Sequence, residues 1–189
     1  MASLSSVLST DLFSVSTSSK DYSSSHSPSF PPAEPSPPQD IPGFPTYAQY
    51  KRAEAAYLTQ FTSAPRQDKA LIPQPLFDRV WDELALPGAS AEDSKFRSWV
   101  RNTFALGAPP FFLGTSGDAK LALLHRKSGL PVAVREQIYA LLCYFHDEMK
   151  HGTRENTVRH VYAHFRYVPR KLILEFLKMC PTCAPKNRG

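Results

Sequence analysis

Two short motifs near the C-terminus decide the fold: His146-Asp147-Glu148-Met149-Lys150-His151 and, after 28 intervening residues, Cys180-Pro181-Thr182-Cys183. Together they read His-x4-His-x28-Cys-x2-Cys. A two-residue spacer lets both sulfurs reach one metal ion. Two thiolates and two neutral imidazoles are donors that Zn²⁺ binds in closed tetrahedral sites. The sequence therefore predicts a structural zinc site with His146, His151, Cys180 and Cys183 as its ligands.

Other interpretations of the histidines and cysteines stay open. The two cysteines of the second motif could be buried free thiols near unrelated surface histidines. His160 and His164 are four residues apart, a spacing that lets two imidazoles on one helix share a metal, although such a pair is more often solvated. Cys143 lies one helical turn before the first motif and could replace a ligand, but a buried inert thiol is the more common role.

Three stretches with helical periodicity accompany the motifs, because apolar residues recur in each at three- and four-residue steps. They are Ile138, Leu141, Leu142 and Phe145; then Val158, Val161, Tyr162 and Phe165; then Leu172, Ile173, Phe176 and Leu177. Thr153 is placed to cap the second helix and Pro169 to begin the third. Three short helices bury too little surface to be stable alone, so we expect the zinc to hold residues 134–189 together.

The sequence of residues 46–133 predicts a helical region with a β-hairpin. Periodic apolar residues predict helices over about 47–62, from Pro75 to Pro87-Gly88, and from Ala91 to Gly107, and we expect these three to share a small core. The apolar runs Phe111-Phe112-Leu113 and 121–124 flank turn residues at 114–118, which predicts a hairpin. A second loop follows at 127–131.

The first 45 residues contain 14 Ser and 8 Pro and have little apolar periodicity. Such a segment cannot bury enough apolar area to offset the backbone entropy of folding, about 1–2 kcal/mol per residue, so we predict that residues 1–45 are a disordered tail. The tail has no arginine and contains Asp11 and Asp21, which argues against a transit peptide.

The whole chain has 189 residues, room for one or two modest domains, and no apolar run long enough to cross a membrane. Its 3 cysteines argue against a disulfide framework and for a reducing compartment. We therefore expect a mainly α protein that is nuclear or cytoplasmic and not secreted.

The two motifs and their surroundings resemble the integrase zinc-binding domain of retroviruses and retrotransposons. The resemblance covers about residues 134–185 and includes Arg154, Thr157, the run Tyr167-Val168-Pro169-Arg170-Lys171 and Phe176. With Phe96-Arg97-Ser98-Trp99-Val100-Arg101 and Pro131-Val132-Ala133-Val134, the chain also resembles a group of fungal proteins that carry this domain outside any transposon. The resemblance implies a three-helix, helix-turn-helix-like fold held by zinc, with the same four ligands.

The chain also departs from the retrotransposon pattern. It has Tyr167-Val168-Pro169 where an aromatic-Trp-Pro sequence is usual, and its two histidines are closer together. It ends six residues after Cys183, which leaves no space for the ribonuclease-H-like catalytic core of an integrase. No phosphate loop, nucleophile elbow or paired-carboxylate motif is present, so we expect neither catalysis nor a small-molecule substrate.

Charge suggests what the zinc domain binds. Residues 1–133 contain 12 basic and 12 acidic side chains, whereas 134–189 contain 10 basic and 5 acidic ones. Helix-turn-helix modules contact DNA with the start of their second helix, which predicts nucleic-acid contacts, DNA or RNA, for Arg170 and Lys171, with Arg166 and Lys178 beside them. A protein partner, or a second copy of the chain, is the alternative, because integrase zinc domains also mediate multimer contacts.

Overall fold

The structure, a computed structural model, describes residues 39–87, 92–110 and 121–184. Within these ranges the protein is mainly helical with one small antiparallel sheet, as predicted. The elements are α1 (Tyr47–Leu58), α2 (Ala64–Ala70), α3 (Gln74–Ala85), α4 (Ser94–Thr103), β1 (Phe104–Gly107), β2 (Ala122–His125), β3 (Leu130–Pro131), a 3-10 helix (Arg135–Gln137), α5 (Ile138–Glu148), α6 (Arg154–His164) and α7 (Arg170–Met179). Residues 1–38 of the predicted disordered tail lie outside the described residues. No helix in the described ranges has the length and apolar character needed to cross a membrane.

The N-terminal helices begin and end for local reasons. Thr46 caps α1 through a capping box with Gln49, and α1 ends at Leu58, four residues before the predicted end. Helix α2 is absent from the sequence prediction, because Pro65 indicates the end of a helix. Here Pro65 lies in the first turn of α2, where a missing N–H costs no hydrogen bond.

The sheet has the order β1-β2-β3, and both pairs are antiparallel. The second strand of the predicted hairpin is present as β2, and the strand that pairs with it is β1. Phe104, predicted to be helical, starts β1 and pairs with His125. Its side chain is fully buried against Trp99, so the extended backbone at Phe104 places a large ring in the interior. The run 111–113 and the turn 114–118 lie outside the described residues.

Two hydrophobic clusters form the interior. The first cluster packs α1 and the residues before it against α5, α6 and α7. Its fully buried members include Tyr50, Tyr139, Leu142, Ile173 and Phe176. The second cluster lies between α3, α4 and the sheet, and includes Ile72, Val80, Val100, Phe104 and Leu123.

Helix α1 differs from the predicted organisation. The sequence predicts that it shares a core with α3 and α4, but it packs on α7, with Tyr50 and Leu58 in the first cluster. The buried Glu54 carboxylate, 1% exposed, accepts a hydrogen bond from Arg135 Nε at 2.9 Å and so ties α1 to the 3-10 helix that precedes α5. The prediction of one upstream three-helix core is therefore wrong for α1, and the first cluster draws on both sides of the predicted boundary at 133/134.

The two clusters are joined through the backbone. Val132 forms a parallel β-bridge with Arg166, whose N–H donates to Pro131 at 2.8 Å and whose carbonyl accepts from Ala133 at 2.9 Å. Tyr167 follows with a left-handed φ of 65°, and its ring packs on the second cluster. The turn between α6 and α7 is thus held against the sheet.

The three C-terminal helices match their predicted positions. The Thr153 hydroxyl accepts a hydrogen bond from the Asn156 N–H at 3.3 Å, which is the predicted cap of α6. Pro169 is the residue just before α7 rather than its first helical residue. The short loops bring the end of α5, the start of α6 and the end of α7 together.

Candidate metal centre

The four predicted ligands meet at one place in the fold. One donor atom from each of His146, His151, Cys180 and Cys183 lies within 4.8 Å of the others. Three of these side chains are buried, and His151 is half-buried. The folding of α5 and α7 against each other therefore brings both motifs into a group that could bind a metal ion.

The two histidines are positioned by the end of α5. His146 lies in its last turn, and the chain then reverses through Lys150 and His151, whose φ angles are 49° and 53°. Left-handed backbone costs a residue with a side chain about 1–2 kcal/mol, and such strain is typical of functional sites. The His151 N–H donates to the His146 carbonyl at 3.0 Å and holds the reversal. Gly152 completes it, because a Cβ there would lie 2.9 Å from the Met149 carbonyl oxygen.

The two cysteines are positioned by the end of α7. Cys180 follows the last helical residue, and the Cys183 N–H donates to the Cys180 carbonyl at 3.1 Å, which closes a turn around Pro181 and Thr182. This turn brings both sulfurs near the histidines. The sequence predicts this arrangement from the two-residue spacer alone.

The distances between donor atoms fit tetrahedral coordination. His146 Nε2 lies 3.2 Å from Cys183 Sγ, and His151 Nδ1 lies 3.4 Å from Cys180 Sγ and 3.8 Å from Cys183 Sγ. Zn–N bonds of about 2.0–2.1 Å and Zn–S bonds of about 2.3 Å at tetrahedral angles place nitrogen and sulfur about 3.6 Å apart. The measured values lie on both sides of this spacing, so the donors are spaced as ligands of one metal ion would be.

The N-terminal segment, residues 39–46, covers the centre. The Phe44 ring lies 4.9 Å from the His151 ring and 6.2 Å from the His146 ring, and Phe44 is 7% exposed. The Gly43 carbonyl accepts a hydrogen bond from the Thr182 hydroxyl at 2.8 Å, and the Pro45 carbonyl accepts one from Tyr139 at 2.8 Å. Residues 39–45 were predicted to belong to the disordered tail. Their packing on the ligands corrects that boundary.

The alternative ligands lie elsewhere. His160 Nε2 contacts Glu148 Oε2 at 2.7 Å, and His164 Nδ1 donates to the His160 carbonyl at 2.8 Å. Within the described ranges, neither histidine belongs to a group of three or more possible ligands. Cys143 is also outside the group, and burial raises the pKa of its thiol to about 12, as expected for an inert core cysteine.

The four predicted nucleic-acid contacts have different surroundings. Arg170 and Lys171 are exposed in the first turn of α7, and Arg170 pairs with Glu155 at 2.7 Å. Lys178 is exposed two turns later and pairs with Glu175 at 2.8 Å. Arg166 is half-buried, and its Nε donates to Ser128 Oγ at 3.2 Å, toward the sheet. The structure therefore places Arg170, Lys171 and Lys178 along α7 and Arg166 beside the β2–β3 turn.

Three residues near the centre were not assigned a role from the sequence: Gly43, Phe44 and Thr157. Gly43 and Phe44 lie more than a hundred residues from the ligands, and Thr157 is one of several polar residues on α6. Comparison of the chain with protein-family models, with curated proteins and with solved structures gave no match. The His/His/Cys/Cys group is compatible with the resemblance to the integrase zinc-binding domain, which stays a prediction.

Proposed function

We propose that this protein is a non-catalytic binding module whose first cluster is held by one Zn²⁺ ion, similar to integrase zinc-binding domains, and that the exposed cations of α7 contact nucleic acid. The observation that carries the proposal is the group of four donor atoms within 4.8 Å of one another. All four donors come from the chain, so a tetrahedral ion has no open position for water or substrate.

Zinc fits this donor set better than the other common ions. Two thiolates exclude Mg²⁺ and Ca²⁺, which prefer oxygen ligands, and two imidazoles with two thiolates at tetrahedral spacing suit Zn²⁺. When bound, the ion supplies cross-linking energy to the fold. The chain supplies the buried surroundings: His146 and Cys180 are fully buried and Cys183 nearly so.

The first turn of α7 supports nucleic acid as the partner. Arg170 and Lys171 are exposed there, while Leu172 and Ile173 hold the helix on the first cluster. The cations therefore point away from a rigid support, as they do in modules that contact phosphate groups. A nuclear location is the matching expectation.

The experiment is a titration of DNA and RNA at several salt concentrations with zinc-loaded wild type and the variant Arg170→Ala with Lys171→Ala. We expect weaker binding and a salt slope lowered by about one for each lost phosphate contact. Arg170→Ala also leaves Glu155 without its partner, which adds repulsion. The matched control is Arg66→Ala with Lys95→Ala, which removes two exposed cations from α2 and α4. Unchanged affinity and slope in the α7 variant would refute the nucleic-acid proposal.

A protein-interaction or self-association module is the second candidate. The observation that favours it is the mixed charge of α7 and its neighbour, where Arg170 pairs with Glu155 and Lys178 with Glu175. Alternating charges of this kind suit a protein surface better than a phosphate backbone. Sedimentation of the zinc-loaded protein over a range of concentrations tests self-association, which the charge reversal Glu155→Lys should weaken.

A further inference from the structure

His146 uses its two ring nitrogens for different partners. Nε2 lies 3.2 Å from Cys183 Sγ, at the metal centre, and Nδ1 lies 3.3 Å from Thr157 Oγ1. His146 is 0% exposed and Thr157 is 1% exposed. Bulk water does not reach this pair, and the threonine hydroxyl lies at hydrogen-bonding distance from Nδ1.

The surroundings of Thr157 determine the direction of this hydrogen bond. Thr157 Oγ1 also lies 3.2 Å from the Thr153 carbonyl oxygen, which can only accept. When the hydroxyl donates its single proton to that carbonyl, it offers a lone pair to His146 Nδ1. The Nδ1 atom must then carry the imidazole proton, and a neutral imidazole has only one. Nε2 is left with the free lone pair that a metal ion requires.

We propose that Thr157 is a positioning residue of the metal centre, whose hydroxyl holds neutral His146 as the Nδ1–H tautomer and so presents Nε2 to the zinc ion. The inference rests on the proposed zinc site. Partners of this kind orient a metal-binding histidine, and their loss typically lowers metal affinity about 10–100-fold.

The tautomer of each imidazole matters because the two histidines face the cysteine sulfurs with different ring nitrogens. His151 faces both sulfurs with Nδ1, whereas His146 faces Cys183 with Nε2. The left-handed turn at Lys150 and His151 orients the second imidazole through the backbone. His146 lies within regular helix, so its ring depends on side-chain contacts, among them the contact of Nδ1 with Thr157.

The test compares Thr157→Val, which keeps the shape and loses the hydroxyl, with Thr157→Ser, which keeps the hydroxyl. Zinc affinity of the full chain is measured by competition with a chromophoric chelator. We expect affinity about 10–100-fold lower for Thr157→Val and near the wild-type value for Thr157→Ser. The control is Thr103→Val in α4, a half-buried threonine in the other part of the molecule, which should leave zinc affinity unchanged.

A second measurement does not depend on variants. Nitrogen-15 chemical shifts of His146 in the zinc-loaded wild type should identify Nε2 as the metal-bound atom and Nδ1 as the protonated one. Zinc binding by Thr157→Val as tight as wild type, or an Nδ1-bound His146, would overturn the inference and leave the zinc site standing. A wild-type chain that binds no zinc would overturn the proposed function as well. If Thr157→Val does not fold, the zinc affinity of Thr157→Ser and the nitrogen-15 chemical shifts of wild-type His146 still test the inference.

Discussion

The two clusters differ in the interactions that stabilise them. The first cluster borders the candidate metal centre and the buried polar groups Glu54, His146 and Thr157, which need specific partners. The second cluster is an aromatic and aliphatic core whose rings pack in pairs, such as Trp99 on Phe104 at 5.1 Å, and its one buried carboxylate among the described residues, Glu83, pairs with Arg101 at 2.9 Å. Among the described residues, the second cluster has no candidate metal ligand group.

This difference indicates which interactions contribute the free energy of folding in each cluster. The second cluster depends on apolar burial and side-chain packing, which need no ligand. Two imidazoles and two thiols lie close together beside the first cluster, an arrangement that a bound ion would stabilise strongly. We therefore expect a ligand-dependent core beside a ligand-independent one.

Removing the metal should have the largest effect and should separate the two cores. Structural zinc contributes an apparent binding energy of about 10–16 kcal/mol in small peptides, so chelation or Cys180→Ser should melt α5, α6 and α7. Circular dichroism measures this helix loss. The two tryptophans of the chain, Trp81 and Trp99, both pack on the second cluster, so their fluorescence reports that core separately and should change less.

The matched control is Cys143→Ala, which removes a buried cysteine outside the ligand group and should keep one zinc ion per chain. A helical signal that is unaltered by a strong chelator would contradict the ligand-dependent interpretation of the first cluster. Simultaneous loss of both signals would show instead that the two clusters unfold as one unit.

Two fully buried phenylalanines, one in each cluster, allow the clusters to be compared by matched substitutions. Phe176 in the first cluster and Phe104 in the second are both 0% exposed, and truncating either to alanine should cost about 3–5 kcal/mol. Only Phe176→Ala should also weaken zinc binding, because the Phe176 ring contacts the edge of the His146 ring at a centroid distance of 6.3 Å. Urea unfolding measures the first effect and chelator competition the second. Equal zinc affinities in the two variants would remove this distinction.

Alanine substitutions at two glycines with positive φ should have the smallest effect on stability. Gly43, at 89°, covers the metal centre, and Gly129, at 66°, lies in the β2–β3 turn. Alanine at either position should cost about 1–2 kcal/mol through backbone strain. A Cβ at Gly43 would lie at an ordinary contact distance of 3.4 Å from Thr182 Oγ1, and a Cβ at Gly129 would meet nothing within 4 Å. Backbone strain at Gly43 would instead disturb the hydrogen bond that its carbonyl accepts from Thr182 beside the candidate centre. Stopped-flow release of zinc to a chelator should therefore be faster in Gly43→Ala only, and equal rates would contradict a protective role of the N-terminal segment.

The closeness of the four His and Cys side chains was the most predictable feature of the molecule. The pairs His146 and His151, and Cys180 and Cys183, are each close in sequence, so helix ends and a short turn suffice to orient them. Periodicity likewise located α5, α6 and α7. These are local properties of the chain, and they confirm the mainly helical prediction for the described residues.

The remaining features depend on contacts between distant segments. An apolar stripe tells which face of α1 is buried but not that it packs on α7 rather than on α3 and α4. Phe44 lies in a Ser- and Pro-rich stretch without periodicity, so nothing local indicates that it packs on His151. Phe104 was predicted to be helical, whereas it starts β1 because pairing with His125 and burial there outweigh the helical pattern.

The bridge between Val132 and Arg166 limits where the chain can be divided into fragments. A fragment cut at the predicted boundary of 133/134 would leave the Arg166 N–H without its acceptor on Pro131, and the isolated fragment would also lack Phe44 and α1. We therefore expect the C-terminal helices alone to be less stable than the longer chain. A fragment that keeps both the candidate ligands and the residues covering them would begin near residue 39, so an exchange of residues within 59–133 would have to keep both flanks.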